Sequence, residues 1–347
     1  MDSSPPLRVA AVGLGWVTTH RHIPSLKRCL QARLVGVIDH EAGRSDRVAH
    51  ELGVRSATVE KAEDVPWLNE VDAVTVGAPP GAHYDLARSY LEAGKHVLVE
   101  KPMAMTVGEA KELSALASER NRILAVVHNF QFTRSIKQAK RMIEGGQLGE
   151  LREIWGIQLS NPRRRLPVWY EQLPLGLFYD ESPHFFYLLR LLAGHELQFR
   201  SIYVDPGQGG RATPKKITAL LGAGNLAVQI DMHFEAPVSE WHIVLLGTKC
   251  AVGIDLFRDL LVIVPNDNSH LGRDILRTSA AAGFGHLMGT LKSGLGTVTG
   301  RLTYGNDEVM RRFCLACQGE VEAISGISAS DGIAVVSMQH TVIAGVR

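Results

Sequence analysis

The clearest chemical feature of this 347-residue chain is a lysine at the end of an apolar run. Val97–Val99 leads directly into Glu100, Lys101 and Pro102. Proline restricts the residue before it to an extended backbone, so Lys101 is directed along a fixed path. Because ligands of open α/β sheets bind outside the carboxyl ends of the strands, the stretch predicts a lysine in a ligand site. The sequence leaves open whether the Lys101–Pro102 bond is cis.

A second pair suited to proton transfer is Asp180 and His184. Their spacing of four places them on one face of a helix, which Pro183 permits if it lies in the first turn. An aspartate beside an imidazole fixes its tautomer and favours its protonated form. The pattern fits equally well a purely structural role, in which the aspartate caps the start of a helix and the histidine ring makes its hydrogen bonds within the fold.

The chemistry that these groups suit is proton transfer, for example to a carbonyl oxygen that becomes a hydroxyl, or from the hydroxyl in the reverse direction. Lys101 can exchange that proton if its pKa falls from about 10.4 toward roughly 7–8. We hypothesise that Lys101 and His184 flank the reacting carbon–oxygen group, with either as the donor.

A glycine pair after the first strand predicts a dinucleotide site. Gly13 and Gly15 allow a tight turn and close approach of a pyrophosphate to the next helix N-terminus. The third glycine position of the fingerprint is Thr18, so the motif is incomplete. The other predicted cofactor contacts are Trp16, Val17, Asp39, Ala78, Pro79, His83, Glu100, Lys101 and Pro102.

Asp39 ends the second apolar strand, where a carboxylate accepts from both hydroxyls of the adenine ribose. It would repel a 2′-phosphate, so we predict NAD as the cofactor and NADP as the less favoured one, with Arg44 able to soften the preference. A helix cap is the alternative role of Asp39. His83 is predicted to lie near the cofactor, and the alternative is that it is an exposed histidine at the start of a helix.

Four residues are predicted to contact substrate: Asn129, Phe132, Arg163 and Tyr187. Asn129 and Phe132 lie at the start of the predicted second domain. Arg163 belongs to a run of three arginines, Arg163–Arg165, which usually forms a solvated loop but can instead bind a phosphate or carboxylate of the substrate.

The elements that position these residues change character near residue 128. Before it, apolar strands alternate with helices, including a T-x-x-E capping box at Thr106 and Glu109, which predicts a doubly wound parallel sheet of Rossmann type over residues 1–127. After it, longer alternating strands predict an α+β domain over residues 128–347 with a large, mostly antiparallel sheet. The Gly-rich region Gly283–Gly305 shows no clear pattern.

Composition excludes several classes of protein. Lys and Arg total 37 against 36 Asp and Glu, a net charge of +1, so we expect no nucleic-acid or membrane partner, and any anion preference must be local. No signal peptide or membrane span is evident, which predicts a cytoplasmic protein. Cys314 and Cys317 lie in a helical pattern without a second ligand pair, so they are expected in the core and no metal is predicted.

Four segments together resemble the Gfo/Idh/MocA family of oxidoreductases: VGLG with HIPSL behind it, VDAVTVGAPPGAH, EAGKHVLVEKPMAMTVGEA, and Asp180-Glu181-Ser182-Pro183-His184. The resemblance covers residues 7–195 well and the remaining sheet in outline. It implies a Rossmann domain followed by an open-sheet domain, association as a homodimer or homotetramer through that sheet, and redox chemistry on sugars, cyclitols or polyols with NAD(H) or NADP(H).

By that resemblance Lys101 matches the catalytic lysine of the E-K-P motif, and Asp180 and His184 match a D-x-x-x-H pattern. The chain departs from the family at Tyr187, where an acid is common, and at Pro174–Tyr179, where a glycine run is common. These departures imply a more apolar and aromatic substrate pocket.

Three functions remain open from the sequence. The first is an NAD(P)-dependent dehydrogenase of a sugar, ketosugar, cyclitol or polyol. The second is an enzyme with tightly held NAD that oxidises and later re-reduces a glycoside around an elimination. The third, a dinucleotide-sensing protein without catalysis, is disfavoured because Lys101 and His184 are both present.

Overall fold

The computed structural model describes residues 5–164, 166–207, 210–298 and 302–346. The chain forms two compact units. Met1–Asn129 and Gly305–Ser337 form the first, and Phe130–Tyr304 and Met338–Arg347 the second. The predicted division into 1–127 and 128–347 has its boundary two residues early and misses the return of 305–337 to the first unit, since no local pattern reveals which sheet a late helix joins.

Strands β1 to β6 form the sheet of the first unit in the order β3-β2-β1-β4-β5-β6, and every pair is parallel. These strands are Leu7–Val12, Ala32–Asp39, Arg55–Thr58, Ala73–Val76, His96–Val99 and Leu124–Val126. β4 and β6 are buried along their whole length, as a parallel sheet covered on both faces requires.

A seven-stranded sheet forms the second unit in the order β13-β12-β11-β7-β10-β9-β8. Its strands β7 to β13 are Leu151–Leu159, Gln198–Asp205, Lys216–Ala223, Leu226–His233, Glu240–Gly247, Cys250–Asp255 and Leu260–Pro265. β7 and β10 are parallel, and the other pairs are antiparallel. Both predicted fold classes are therefore confirmed.

The described helices α1 to α9 are Ile23–Arg28, Ala42–Leu52, His83–Glu92, Val107–Glu119, Arg134–Glu144, Leu177–Ala193, Gly272–Val298, Asn306–Cys317 and Ala329–Ala344. Their ends follow local chemistry. The Thr106 side chain accepts from the Glu109 N–H while Glu109 accepts from the Thr106 N–H, which confirms the capping box. Cys314 is buried inside α8, and Cys317 ends that helix half-buried.

Helix α6 differs from the prediction, because it begins at Leu177 and Pro183 lies in its interior rather than in its first turn. Proline has no N–H to donate to the carbonyl four residues earlier, which belongs to Tyr179. The buried side-chain amide of Gln339 donates to that carbonyl instead, at 2.6 Å. A long-range side chain thus compensates for the local defect, which no sequence pattern could indicate.

The Gly-rich region, to which no element was assigned from sequence, contains most of α7. This helix packs on β13, and its glycines obscured the periodicity on which the prediction depended. Among the described residues, no helix combines the length and apolarity needed to cross a membrane.

Candidate functional site

The predicted cofactor residues follow β1, β2, β4 and β5, whose carboxyl ends meet at one edge of the first sheet. β1 lies between β2 and β4, so the order reverses there, and this is the switch point where α/β sheets bind ligands. Gly13 has φ of +76°, and a Cβ added to it would lie 2.9 Å from the Ala78 nitrogen. Glycine is required here because the turn after β1 presses directly on the turn after β4.

In the fingerprint, the second glycine lets the pyrophosphate approach the backbone and the third permits close packing of helix on strand. In this chain Gly15 has the first of these roles and Gly77 has the second. A Cβ at Gly15 would meet nothing closer than the Gly77 oxygen at 3.9 Å, so that side of the loop is open to a ligand. Thr18 is fully buried, and its hydroxyl would clash with any Cβ at Gly77. The small residue that permits close packing therefore lies on the β4 side, which explains how Thr18 is tolerated.

Two predicted contacts lie on the short helical segment that follows Gly15. Trp16 is exposed and stacks on His20, with their ring centroids 5.0 Å apart. The guanidinium of Arg21 lies 5.2 Å from the Trp16 ring centroid. Val17 is half-buried.

Asp39 is buried and connects two loops. Its Oδ2 accepts from the Leu14 N–H at 2.7 Å, and its Oδ1 accepts from the Glu41 N–H at 2.9 Å. Arg44 lies beside it, with Nη1 at 3.4 Å from Oδ1, and also pairs with Glu41. The carboxylate thus orders the glycine loop itself, a contact that sequence reasoning did not anticipate.

Glu100 pairs with His22, the first residue of the HIPSL segment, to which the sequence analysis assigned no role. The His22 Nε2 lies 3.0 Å from Glu100 Oε1, and its Nδ1 lies 2.5 Å from the Thr75 hydroxyl. The other carboxylate oxygen of Glu100 accepts from the Lys101 N–H at 3.1 Å. Burial alone would raise the pKa of Glu100, but the hydrogen bond and charge of His22, with the charge of Lys101, lower it.

The Lys101–Pro102 peptide bond is cis. His83 holds this segment from its other side, since Nδ1 lies 2.7 Å from the Pro102 oxygen and Nε2 lies 2.8 Å from the Ala78 oxygen. His83 is buried, not exposed at a helix start, and burial lowers the pKa of its ring against the raising effect of the two carbonyls. Lys101 itself is half-buried, between two residues whose positions are fixed.

In the second unit, α6 carries the predicted acid–base pair. His184 is buried and Asp180 is half-buried, on one face by their spacing. The His184 Nδ1 lies 2.9 Å from the Tyr187 hydroxyl, which accepts from the Phe130 N–H at 3.1 Å. Phe130 and Trp241 pack around the imidazole with ring centroids 5.1 and 5.4 Å away. Tyr187, predicted to contact substrate, therefore orients His184.

The arginine run has a structural partner. Arg164 donates to Glu181 Oε1 at 2.5 Å, and the buried amide of Gln158 donates to Glu181 Oε2. Burial raises the pKa of Glu181 despite these contacts. Arg163 is exposed, with its backbone N–H donating to Asn161 Oδ1, and Arg165 lies outside the described residues.

The two remaining predicted substrate contacts adjoin the boundary between the units. Asn129, the last residue of the first segment, is buried. Phe132 is half-buried, and the Lys137 ammonium lies 5.7 Å from its ring centroid.

One group of side chains in the described part of the chain has metal-ligand chemistry: Glu240, His242 and Asp255 on β11 and β12. The guanidinium of Arg258 pairs with both carboxylates. Their negative charge is therefore already neutralised by a fixed cation.

The strand-end residues of the first unit fit a bound dinucleotide. Gly15 leaves the loop backbone approachable, Gly13 and Ala78 shape the turn pair, and Asp39 holds a carboxylate at the end of β2. These are the chemical requirements of pyrophosphate and ribose binding at such a sheet edge.

Comparisons with known proteins agree with this geometry. Residues 7–128 match the GFO_IDH_MocA family, described as an oxidoreductase family with an NAD-binding Rossmann fold. An uncharacterized oxidoreductase of Synechocystis sp. is 33% identical over 180 residues, which are 51% of this chain and 48% of that protein. The scyllo-inositol 2-dehydrogenase (NAD(+)) of Bacillus subtilis is 30% identical over 195 residues, 55% of each chain.

The chain spans about half the length of the curated relatives it matches. A solved structure, GenD2 from gentamicin A biosynthesis in complex with NAD, has a TM-score of 0.76 and 19% identity, and the match covers 99% of this chain and 95% of GenD2. It shows that the fold is shared over that 99% of the chain. The family resemblance read from the sequence motifs is confirmed over residues 7–128.

Proposed function

We propose that this chain, whose residues 7–128 carry the NAD-binding Rossmann fold of the GFO_IDH_MocA oxidoreductases, is an NAD(P)-dependent dehydrogenase or reductase. It transfers hydride between nicotinamide and a carbinol or carbonyl carbon of a sugar, ketosugar, cyclitol or related polyol. The observation that carries the proposal is the Glu100–Pro102 segment, which presents Lys101 at the end of β5 and is fixed on both sides by buried histidines.

Within this proposal the first unit binds the cofactor through Gly13, Gly15, Asp39 and the Ala78–Pro79 turn. When bound, the nicotinamide supplies or accepts the hydride. We assign NAD in preference to NADP because the Asp39 carboxylate would repel a 2′-phosphate, and because Arg44, the arginine beside it, is engaged by Asp39 and Glu41. The name of the Bacillus subtilis relative, which specifies NAD(+), supports the same choice.

Proton transfer is assigned to Lys101 and His184, with Asp180 assisting. The Glu100 carboxylate is hydrogen-bonded to the His22 ring and to the Lys101 backbone N–H. It therefore fixes the backbone position of Lys101, and proton transfer is not assigned to it. Tyr187 fixes the ring orientation of His184. A carbonyl oxygen that becomes a hydroxyl takes its proton from one of these two groups, and an alcohol that is oxidised returns it.

Carbohydrates and cyclitols are proposed as the substrate class because relatives such as the scyllo-inositol dehydrogenase act on them by name. The aromatic side chains around His184, Phe130 and Trp241, suit the apolar face of a sugar ring.

Association through the second sheet is part of the proposal. Tyr203 and Leu220 are exposed, and strand register places them on one face of that sheet. Gly156 lies on the opposite face, where α6 packs so closely that a Cβ on this glycine would lie 2.6 Å from Phe185. The face with Tyr203 and Leu220 is proposed to contact a second copy in a homodimer or homotetramer. Light scattering should give a dimer or tetramer mass, and Leu220→Asp should lower it; a monomeric wild type would refute this.

Activity is tested with the purified full chain and a panel of inososes, ketosugars, cyclitols and glycosides, with NADH loss or NAD⁺ reduction as the readout. The proposal expects stoichiometric cofactor turnover with at least one compound, and none with Lys101→Met. A glycoside converted without net cofactor change, by protein that holds non-exchanging nucleotide, would establish the redox-neutral alternative. Nucleotide binding without conversion of any compound would favour a sensor.

A further inference from the structure

The carboxyl end of helix α1 is fixed against helix α8 within the first unit. The two helices pack together, and the Arg28 guanidinium donates two hydrogen bonds to the Asp307 carboxylate, at 2.9 and 2.8 Å. Cys29 follows Arg28 directly and caps α1. The next residue, Leu30, is 87% exposed, so small molecules in solution can reach this end of the helix.

Cys314 of α8 contacts Cys29. It lies seven residues after Asp307, which is about two helical turns, so both residues lie on the same side of α8. The Cys314 thiol donates a hydrogen bond to the Cys29 sulfur, and the Cys29 thiol donates to Gln31 Oε1 at 3.6 Å. Cys29 is half-buried, Cys314 is buried, and both are free thiols. The fold thus joins two thiols from opposite ends of the sequence.

The surroundings of Cys29 favour its thiolate. The hydrogen bond from Cys314 lowers the pKa of the Cys29 thiol to about 7, although burial opposes this. The backbone N–H groups of Gln31 and Ala32 and the charge of Arg311 lower it further. Because the thiolate is the form of cysteine that attacks peroxides and disulfides, Cys29 has the character of a nucleophile.

The other three cysteines have the opposite character. Burial raises the pKa of the Cys250 and Cys317 thiols. The hydrogen bond that Cys314 donates to Cys29 raises the pKa of Cys314, and burial adds to this. All four cysteines of the chain lie among the described residues. One reactive thiol therefore contacts one protonated thiol, which is the arrangement of an attacking and a resolving cysteine.

We propose that Cys29 and Cys314 form an oxidation site for hydrogen peroxide that closes to a reversible disulfide within the chain. The Cys29 thiolate attacks one peroxide oxygen, the O–O bond breaks, and the departing hydroxide takes up a proton to leave as water. Cys29 is then a sulfenic acid. The Cys314 sulfur attacks the Cys29 sulfur, the S–O bond breaks, and the hydroxyl leaves as water with the thiol proton. Two thiols are oxidised and one peroxide is reduced to two waters.

The C-x-x-C pair of α8, Cys314 and Cys317, is a less suitable bridge. Helical residues three apart have Cβ atoms about 5–6 Å from each other, whereas a disulfide needs roughly 3.5–4.5 Å. Both thiols also have a raised pKa, so neither is a good nucleophile. The sequence grouped these two cysteines by spacing, and the fold gives Cys314 a different neighbour.

The test is peroxide treatment of the reduced full-length protein at pH 7, followed by N-ethylmaleimide, trypsin digestion without reductant and mass spectrometry. We expect the tryptic peptide that begins at Cys29 to be linked to the one that begins at Phe313, and dithiothreitol to release it. Cys317→Ser and Cys250→Ser, the matched controls, should form the link as the wild type does. Cys314→Ser should instead leave Cys29 as a sulfenic acid that dimedone traps.

Rates give a second readout. Cys29 should be oxidised about fivefold faster than Cys250 at pH 7, because its larger thiolate fraction outweighs the lower nucleophilicity of a thiolate of low pKa. Circular dichroism establishes that each variant is folded, and the wild-type peptide map depends on no variant. Because the pair does not involve the proposed cofactor site, its oxidation is tested independently of dehydrogenase activity.

Three results would overturn the proposal. The first is a wild-type protein in which peroxide oxidises Cys29 no faster than Cys250. The second is a link that persists in Cys314→Ser and disappears in Cys317→Ser, or a bridge between Cys314 and Cys317. The third is a link that joins two copies of the chain, which non-reducing electrophoresis would show as a doubled mass.

Discussion

The edge of the first sheet and helix α6 of the second unit both carry residues suited to chemistry, but different forces position them. At the sheet edge, strand order alone brings Gly13, Asp39 and Lys101 to the same side, because parallel strands end together. On α6, the partners of each side chain come from distant elements, as Arg164 does for Glu181. The strand order of the sheet therefore positions the residues of the first unit, whereas burial and long-range side-chain pairs position those on α6.

The largest effect should come from Lys101→Met, which sharpens this contrast by removing the group that the sheet edge presents. We expect kcat to fall by about 10²–10⁴ while the NADH dissociation constant stays within twofold or so of the wild type. Lys111→Met, an exposed lysine on α4, should leave both unchanged. Lost NADH binding would show that Lys101 clamps the cofactor instead.

On α6 the matched pair is Arg164→Ala and Arg163→Ala. The first leaves the buried Glu181 carboxylate without its cation and should cost about 3–5 kcal/mol of unfolding free energy, while the second should stay within about 0.5 kcal/mol of the wild type. Because burial raises the pKa of Glu181, protonation should relieve part of the Arg164→Ala cost at acidic pH. Urea titrations measure both, and equal effects would refute the pairing.

Glu100→Gln tests the fixed end of β5. It removes the charged partner of His22 and should cost about 1–3 kcal/mol at neutral pH. Since the folded pKa of Glu100 lies below its ordinary 4.5, the stabilisation is complete above that value and is lost as pH falls through the folded pKa. The stability difference from wild type should thus shrink in acid, and a difference that is constant with pH would contradict the assignment.

Tyr187→Phe should have the smallest effect. It removes the hydroxyl that is hydrogen-bonded to both the Phe130 N–H and the His184 ring, which should lower the free energy of unfolding by about 1 kcal/mol. The imidazole is then free to rotate. We expect a several-fold loss of kcat with an altered pH profile, and no change for Tyr203→Phe, an exposed tyrosine in the same unit. An unaltered profile would mean that Tyr187 only packs.

The sequence predicted what depends on short-range rules. The strand ends, the Gly13 turn and the Thr106 capping box follow from local patterns and were found in place. His22 escaped because 78 residues separate it from Glu100, and a histidine in a helical stretch carries no sign of its partner. Pro183 inside α6 and the packing of α7 escaped because each depends on a neighbour from another element, Gln339 in one case and β13 in the other.

The central claim is that the edge of the first sheet binds nicotinamide dinucleotide, and fluorescence titration of the purified protein with NADH and NADPH tests it directly. We predict saturable binding of both, tighter for NADH, with Asp39→Asn reducing the preference by about tenfold while its side chain still accepts from the Leu14 N–H. Folded protein, free of copurified nucleotide, that binds neither dinucleotide would contradict the account.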